Sequence, residues 1–335
     1  MENRKQIIEQ AFANEIPERV PAAFWYHFTD FSEHCRGLSN PEIIQRVIDG
    51  HKKMYDELKP DFLKIMSDGF FGHPSMIDQE FNEASDLTKI KALGPDHPWI
   101  EKQIAMVNEL IEYTNHEVPI FYSIFSPLSA IRLHFFEDEN DSEKFTRLFF
   151  EDPDQMVSAA KEIEKDLLNL VDRLAKETDI DGIYYSVQEV QDPRADETFH
   201  KKYVKDSDIS ILKSAHDHGL KILLHICGWG DFTNNLKLYT DYPCDIVNWA
   251  THTERISLKE GKKLFGDKPV VGGFDNNPGT LLYEGSDEEI KAYVEELLQE
   301  SGTKGVIIGA DCTVDPSIDH KRLQFVREVA KNFRG

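Results

Sequence analysis

The segment KILLHICGWG (221–230) ends an apolar run with a histidine and a cysteine two residues apart. Residues two apart in a β-strand lie on the same face, so we expect His225 and Cys227 to project together. Cys312 ends another apolar run, GVIIGADC (305–312). One imidazole and two thiolates are a typical Zn²⁺ ligand set, and three protein ligands leave the fourth position open for water or substrate. The spacing therefore predicts a catalytic zinc site made by His225, Cys227 and Cys312.

Each of these residues also has an ordinary interpretation when it is taken alone. A single histidine in an apolar run is more often a core imidazole bound to a carbonyl, and a single cysteine is more often a small buried hydrophobe. It is the joint pattern, at the ends of two separate runs, that favours the metal. A disulfide between Cys227 and Cys312 is disfavoured because four cysteines in 335 residues do not form a disulfide framework.

The composition limits the classes of partner. The chain carries 38 Lys and Arg against 61 Asp and Glu, a formal net charge of −23, which makes a nucleic acid or an anionic membrane an unfavourable partner. No apolar run is long enough to span a bilayer, and the polar start MENRKQIIEQ is not a signal peptide. We expect a soluble protein in the reducing cytoplasm.

Eight short β-rich runs alternate with segments of helical periodicity. This alternation is typical of a (β/α)8 TIM barrel, with active-site residues at the carboxyl ends of the strands. An open doubly wound sheet is the competing architecture, but no G-x-G-x-x-G follows the first run. We predict one α/β barrel domain over residues 1–335, with an N-terminal helix and an insertion after the third strand, at about 126–152. The predicted strands are 22–28, 61–66, 119–125, 182–188, 221–227, 245–250, 269–274 and 305–312, and the main predicted helices are 41–58, 152–177, 286–302 and 315–333.

Five further residues are candidates because they stand at or just beyond predicted strand ends. Gln188, Asp275 and His27 could orient a substrate, exchange protons or position a zinc ligand. Asp68 could contact a cofactor, and Trp229 could form an apolar wall beside the metal. For each of them, helix capping, strand termination or ordinary loop packing is a comparable alternative.

Six segments carry a resemblance to a known family: RVPAAFWYHF (19–28), PDFLKIMSDGFFG (60–72), DGIYYSVQ (181–188), HICG (225–228), VVGGFDN (270–276) and GADCTVDPSI (309–318). Together they resemble the uroporphyrinogen decarboxylase superfamily, and within it the zinc-dependent, corrinoid-linked methyltransferases of the coenzyme M type. The resemblance implies a (β/α)8 barrel and an H-x-C…C zinc arrangement, which matches His225, Cys227 and Cys312. More distant cobalamin-independent methionine synthases use a Glu beyond the H-x-C, where this chain has Asn248, so a fourth protein ligand stays open.

The resemblance implies transfer of a methyl group between a corrinoid and a small thiol or methylated substrate. The cobalt-ligating pattern D-x-H-x-x-G is absent, so the corrinoid (methylcobalamin) is expected on a separate corrinoid protein or free in solution. Uroporphyrinogen decarboxylase itself is an alternative, since Asp68 resembles its substrate-binding aspartate, although only Arg19 remains of its N-terminal arginines. A non-catalytic barrel that binds a metal or tetrapyrrole is a second alternative. The sequence determines neither the direction of methyl transfer nor the oligomeric state, for which a homodimer is one option.

Overall fold

A computed structural model, which describes residues 3–139, 141–230 and 232–334, contains a curled parallel β-sheet. Seven strands are formed in the described residues, and they pair in chain order from the first to the last. This sequential order lacks the reversal of a doubly wound sheet, so that alternative is excluded. The strands are β1 Leu63–Ile65, β2 Ile120–Phe125, β3 Gly182–Val187, β4 Lys221–Ile226, β5 Ile246–Trp249, β6 Val270–Phe274 and β7 Val306–Ala310.

Helices follow most strands, and three of the predicted helices begin after a polar capping residue. Asn40, Asp152 and Ser286 each accept a hydrogen bond from a backbone N–H of the first helical turn. The helices are α1 Arg4–Phe12, α2 Pro41–Leu58, α3 Pro98–Thr114, α4 Pro127–Leu133, α5 Lys144–Glu151, α6 Pro153–Glu177, α7 Glu197–Tyr203, α8 Lys205–Asp217, α9 Thr251–Glu254, α10 Leu258–Leu264, α11 Leu281–Glu284, α12 Asp287–Ser301 and α13 His320–Asn332. Helices α4 and α5 lie in the predicted insertion after 119–125.

The predicted first strand, 22–28, is not formed as a regular strand. The segment makes isolated bridges at Ala22 and Tyr26 to the β7 side, and the Asp61 N–H donates to the Ala22 carbonyl at 3.1 Å on the other side. Two of its backbone N–H groups are bound by carboxylates instead of a neighbouring strand: Ala22 by Asp61 at 2.8 Å and Phe28 by Asp68 at 2.7 Å. Side chains thus replace ladder hydrogen bonds, and the segment still contacts both edges of the sheet.

Alternation along the strands sorts the side chains into two layers. On β3, Tyr184 points into the space enclosed by the sheet, whereas Ile183 and Tyr185 pack under the surrounding helices. Helix α1 covers the amino end of this interior, where Phe12 stacks on Phe121 with ring centroids 5.3 Å apart. The carboxyl ends of the strands, on the opposite side, are left to the βα loops. Within the described ranges, no helix combines the length and apolarity needed to cross a membrane.

Candidate metal centre

The structure brings together the three residues predicted to bind metal. His225 lies in β4 and is buried, Cys227 follows that strand directly, and Cys312 stands just beyond the end of β7. Their ligand atoms all lie within 4.8 Å of one another, and the Cys312 Sγ is 3.5 Å from the His225 Nε2. Both thiols are partly exposed at the carboxyl end of the sheet. The arrangement fits a tetrahedral metal ion with one outward position.

The turn after Cys227 is fixed by polar contacts that need a glycine next to it. Asn234 donates to the Cys227 carbonyl at 2.9 Å, and its side chain also contacts Glu254. A Cβ on Gly228 would lie 2.4 Å from a Glu254 carboxylate oxygen, so no larger residue fits there without displacing that carboxylate. The Cys227 N–H donates to the Val187 carbonyl at 2.9 Å, which extends the pairing of β3 and β4 to the cysteine.

Asn248 on β5 fixes the orientation of the His225 ring. The Asn248 Nδ2 donates to the carbonyls of Val271 and Ala310, at 2.8 and 3.3 Å, so its Oδ1 must face the interior. That oxygen accepts from the His225 Nδ1–H at 2.5 Å and from the Tyr184 hydroxyl at 2.9 Å. Because Nδ1 carries the proton, the His225 Nε2 presents its lone pair toward the thiols. Such an outer hydrogen bond is typical of histidines that ligate metals.

The two thiols differ in acidity. The hydrogen bond from Cys227 holds the pKa of Cys312 well below that of a free thiol, against the opposing effect of burial. The same hydrogen bond to Cys312, together with burial, raises the pKa of Cys227. The lowered pKa of Cys312 favours its thiolate, which is the form that binds a metal ion.

Two buried cations act on these thiols. The Lys64 ammonium on β1 lies 3.7 Å from the centroid of the Tyr184 ring, whose neighbour is the His225 ring at 5.2 Å. Burial lowers the pKa of Lys64 to about 8, while the charges of Cys312 and Cys227 act in the opposite direction. The Arg132 guanidinium on α4 covers the Phe232 ring at 4.9 Å; burial lowers its pKa, and the charge of Cys227 raises it.

A second cluster, made by His27, His34 and Asp68, also has three ligand atoms within 4.8 Å. The His27 Nδ1 donates to Asp68 at 2.8 Å, and the other Asp68 oxygen accepts from the Phe28 N–H. His34 hydrogen-bonds to the Thr29 carbonyl at 3.2 Å. Burial opposes ionisation of Asp68, but His27 and His34 together hold its pKa at about 2. The structure thus unites two predicted residues, His27 and Asp68, in one hydrogen-bonded pair.

Of the remaining predicted residues, Asp275 and Gln188 lie at other strand ends, and Trp229 lies in the loop after β4. Asp275, after β6, accepts from the backbone and side chain of Asn277 and so shapes its own loop. Gln188, after β3, has a buried Nε2 with no acceptor in the described part of the chain. Trp229 stacks on Phe232 with centroids 4.6 Å apart and contacts the edge of Phe136. Neither Asp275 nor Gln188 belongs to the two ligand clusters; their predicted roles stay predictions.

Our sequence interpretation does not identify four site residues: Lys64, Arg132, Tyr184, and Asn248 as the group that orients His225. A lysine between apolar residues in DFLKIM is a usable signal, because strands of a parallel sheet are buried on both faces. Asn248 in DIVNWA is a similar polar interruption. Arg132 lies on a helix, where an arginine is unremarkable, and only its place in three dimensions distinguishes it.

Comparison with solved structures shows that this chain has a fold similar to those of known proteins. A solved methyltransferase from Methanosarcina mazei superposes with a TM-score of 0.69 over 98% of each chain, at 12% sequence identity. A B12-independent methionine synthase from Shewanella sp. W3-18-1, in complex with selenomethionine, gives a TM-score of 0.52 over 93% of each chain, at 16% identity. No protein-family model matches the sequence. No curated protein matches it either.

Proposed function

We propose that this chain is a zinc-dependent methyltransferase with a (β/α)8 barrel fold. It moves a methyl group between a corrinoid, either free or carried by a separate protein, and a small thiol or methylated substrate. The observation that carries the proposal is the meeting of His225, Cys227 and Cys312 within 4.8 Å at the carboxyl end of the sheet. The likeness in fold to two solved proteins described as a methyltransferase and a methionine synthase supports the same reaction class.

The donor set fits zinc on chemical grounds. Two thiolates and an imidazole are the ligands that Zn²⁺ takes in sites with an open position, and the hydrogen bond from the His225 Nδ1–H to Asn248 leaves Nε2 as the ligand atom. When bound, zinc would supply Lewis acidity, which deprotonates a coordinated thiol or polarises a methylated group. Soft thiolates from Cys227 and Cys312 favour zinc over harder cations such as Mg²⁺.

The residues of the chain have separate tasks in this proposal. His225, Cys227 and Cys312 would hold the ion, while Asn248 and Tyr184 hold the imidazole in the required tautomer. The stacked rings of Trp229 and Phe232 offer an apolar wall near Cys227, where a flat corrinoid macrocycle could lie. The direction of transfer is not set by these residues.

The decarboxylase alternative is weakened by the position of Arg19. Its two guanidinium nitrogens bind both oxygens of Asp61, at 2.8 and 2.6 Å, and the residue is only 6% exposed. The one arginine left from the decarboxylase motif is therefore already paired with a carboxylate of the chain, which opposes a role in binding the substrate's carboxylates.

Zinc content and methyl transfer should be measured together on the same preparations. We expect about one zinc per chain in protein purified without added metal, and transfer from methylcobalamin to a small thiol, seen as loss of the methylcobalamin absorbance. Both should be lost in Cys312→Ser and kept in Cys244→Ser, which changes a buried cysteine outside the cluster. Metal-free turnover of uroporphyrinogen would support the decarboxylase instead. Zinc with no transfer in either direction would support the non-catalytic barrel.

A further inference from the structure

The three candidate metal ligands lie on two parts of the sheet that the backbone joins weakly. His225 and Cys227 stand at the end of β4, and Cys312 follows β7. Among the described residues, the β5–β6 ladder has one residue pair, whereas the β4–β5 ladder has four and the β6–β7 ladder has five. The other edge of β7 is joined to the 22–28 segment by isolated bridges. The backbone ladder therefore gives weak support to the position of Cys312 relative to β4.

A buried carboxylate spans the β5–β6 boundary. Asp311, which lies between β7 and Cys312, is 2% exposed and accepts three hydrogen bonds from residues that follow β5. The Thr251 hydroxyl donates to its Oδ1 at 2.6 Å, and the His252 N–H and Nδ1–H donate to its Oδ2 at 2.8 and 2.9 Å. The Asp311 N–H itself donates to the Phe274 carbonyl at 2.7 Å. Both the backbone and the side chain of the residue before Cys312 are thus held.

This arrangement differs from ordinary strand termination. Asp275, after β6, binds the Asn277 N–H two residues further along its own loop. The Thr251 partner of Asp311, in contrast, lies 60 residues away in the sequence, so the contact joins two separate strand ends. Hydrogen bonds to a carboxylate are shorter and stronger than those between neutral groups. The side-chain contact therefore supplies a connection that the β5–β6 backbone does not.

An outer contact supports the same connection. The Tyr293 hydroxyl on α12 donates to the Gly273 carbonyl on β6 at 2.5 Å and lies 3.4 Å from the His252 Nε2. Helix α12 thus contacts both sides of the β5–β6 boundary, and the His252 ring is held between Asp311 and Tyr293.

We propose that Asp311 is a positioning residue: held by Thr251 and His252, it sets where the Cys312 sulfur lies relative to the ligands on β4. Asp311 acts through Cys312 and is not itself a ligand, because both of its carboxylate oxygens accept hydrogen bonds from the protein. This inference rests on the proposed function for the identity of the bound ion.

Zinc affinity of the full-length protein, measured by competition with a chromophoric chelator, tests this role. Thr251→Val removes the hydroxyl at nearly constant size and should lower zinc affinity by about 3- to 10-fold. Asp311→Asn replaces one acceptor oxygen by an NH₂ group and should lower it by at least about 10-fold, as expected for residues that support metal ligands. Thr251→Ser keeps the hydroxyl and should retain the wild-type affinity. Thr198→Val, at an exposed position on α7, is the matched control.

Hydrogen exchange on the metal-free protein gives a second readout, which does not depend on zinc. The amides of Asp311 and Val314 donate to the carbonyls of Phe274 and Trp25. Both amides should exchange several-fold faster in Thr251→Val than in the wild type, and Thr251→Ser should again match the wild type.

Unchanged zinc affinity in Thr251→Val and Asp311→Asn would overturn the inference, even if both variants unfolded more easily, because their role would then be structural alone. Circular dichroism checks that each variant is folded; if Asp311→Asn is not, the two Thr251 variants decide. Wild type that binds no zinc would refute the proposed function. In that case faster exchange in Thr251→Val would still support the positioning of the Cys312 segment, and unchanged exchange would refute it.

Discussion

The two clusters of potential metal ligands in this protein differ in how their atoms are already used. In the first cluster, the His225 Nδ1–H donates a hydrogen bond to Asn248. The His225 Nε2 then faces the Cys312 thiol, 3.5 Å from its Sγ. In the second, the His27 Nδ1 donates to Asp68, and both Asp68 oxygens are occupied. The ligand atoms are equally close together in both, within 4.8 Å.

The comparison teaches that proximity of ligand-type residues is insufficient to identify a metal site. What matters is whether the fold directs hydrogen bonds to the outer atoms of the ligands or to the atoms that would bind the ion. By this criterion the His225 cluster is arranged for a metal, whereas His27 and Asp68 form an acid–base pair satisfied within the protein.

The largest expected effect is on metal affinity. Cys227→Ser should lower zinc affinity by more than about 100-fold, because it removes a ligand rather than an orienting group. Asp68→Asn should leave the stoichiometry at one zinc per chain. Zinc competition with a chromophoric chelator measures both. Two zinc ions in the wild type, one of them lost in Asp68→Asn, would show that the second cluster is also a metal site.

The next effect concerns the hydrogen bonds behind His225. Asn248→Leu keeps the approximate size of the side chain but removes the acceptor for the Nδ1–H, so zinc affinity should fall by about 10- to 100-fold. Tyr184→Phe, which removes only the second donor to the same oxygen, should have a smaller effect. Asn332→Leu, at an exposed position on α13, serves as the matched control. Unchanged affinity in Asn248→Leu would contradict the proposed orienting role.

A third prediction uses the acidity of Asp68. Its pKa in the folded protein, about 2, lies below the ordinary value of 3.8, so ionised Asp68 stabilises the fold above about pH 4. The difference corresponds to about 2 kcal/mol in the free energy of unfolding, which Asp68→Asn should lose at pH 7. Wild type should lose the same amount as the pH falls from about 4 towards 2.

Urea unfolding of wild type and Asp68→Asn from pH 7 to pH 2.5 measures this effect. The gap between their unfolding free energies should narrow as the solution becomes acidic, while Asp217→Asn, at an exposed position in the last turn of α8, should match the wild type throughout. A gap that is independent of pH would mean that Asp68 acts through packing rather than through its charge.

The smallest effect is expected at the aromatic rim. Trp229 contacts Phe232 and Phe136 beside the metal centre, and Phe31, 62% exposed, contacts His34 beside the second cluster. Trp229→Ala should weaken binding of free methylcobalamin by about 3- to 10-fold, the usual range for one lost ring contact, with zinc content unchanged. Phe31→Ala should have less effect on binding measured by fluorescence quenching. A larger effect at Phe31 would place the corrinoid over the second cluster.

Much of this arrangement could be predicted from the sequence because it depends on local periodicity. Alternation in a strand puts His225 and Cys227 on one face, and the caps at Asn40, Asp152 and Ser286 set three helix starts. The predicted start of the last helix, at 315, is early: α13 begins at His320, after an Asp319 cap. Before His320 the Asp315 carboxylate accepts a hydrogen bond from the Ser317 N–H. This tight loop takes the place of helical backbone hydrogen bonds.

The remaining features depend on contacts between distant segments. The 22–28 segment has strand-like composition, yet Asp61 and Asp68 bind its N–H groups, and nothing local in the sequence reveals that exchange. The same holds for Lys64 and Arg132, whose burial near the two thiols depends on segments far apart in the sequence. Sequence patterns therefore predict the candidate metal ligands better than the charged residues around them.

Zinc K-edge X-ray absorption on protein purified without added metal would show directly whether His225, Cys227 and Cys312 bind zinc. We expect zinc bound by two sulfurs at about 2.3 Å and one imidazole nitrogen at about 2.0 Å, with one further light-atom ligand. Replacement of Cys312 by Ser should remove this signature. A zinc shell of nitrogen and oxygen alone, or protein that binds no zinc with its cysteines reduced, would rule out this zinc site.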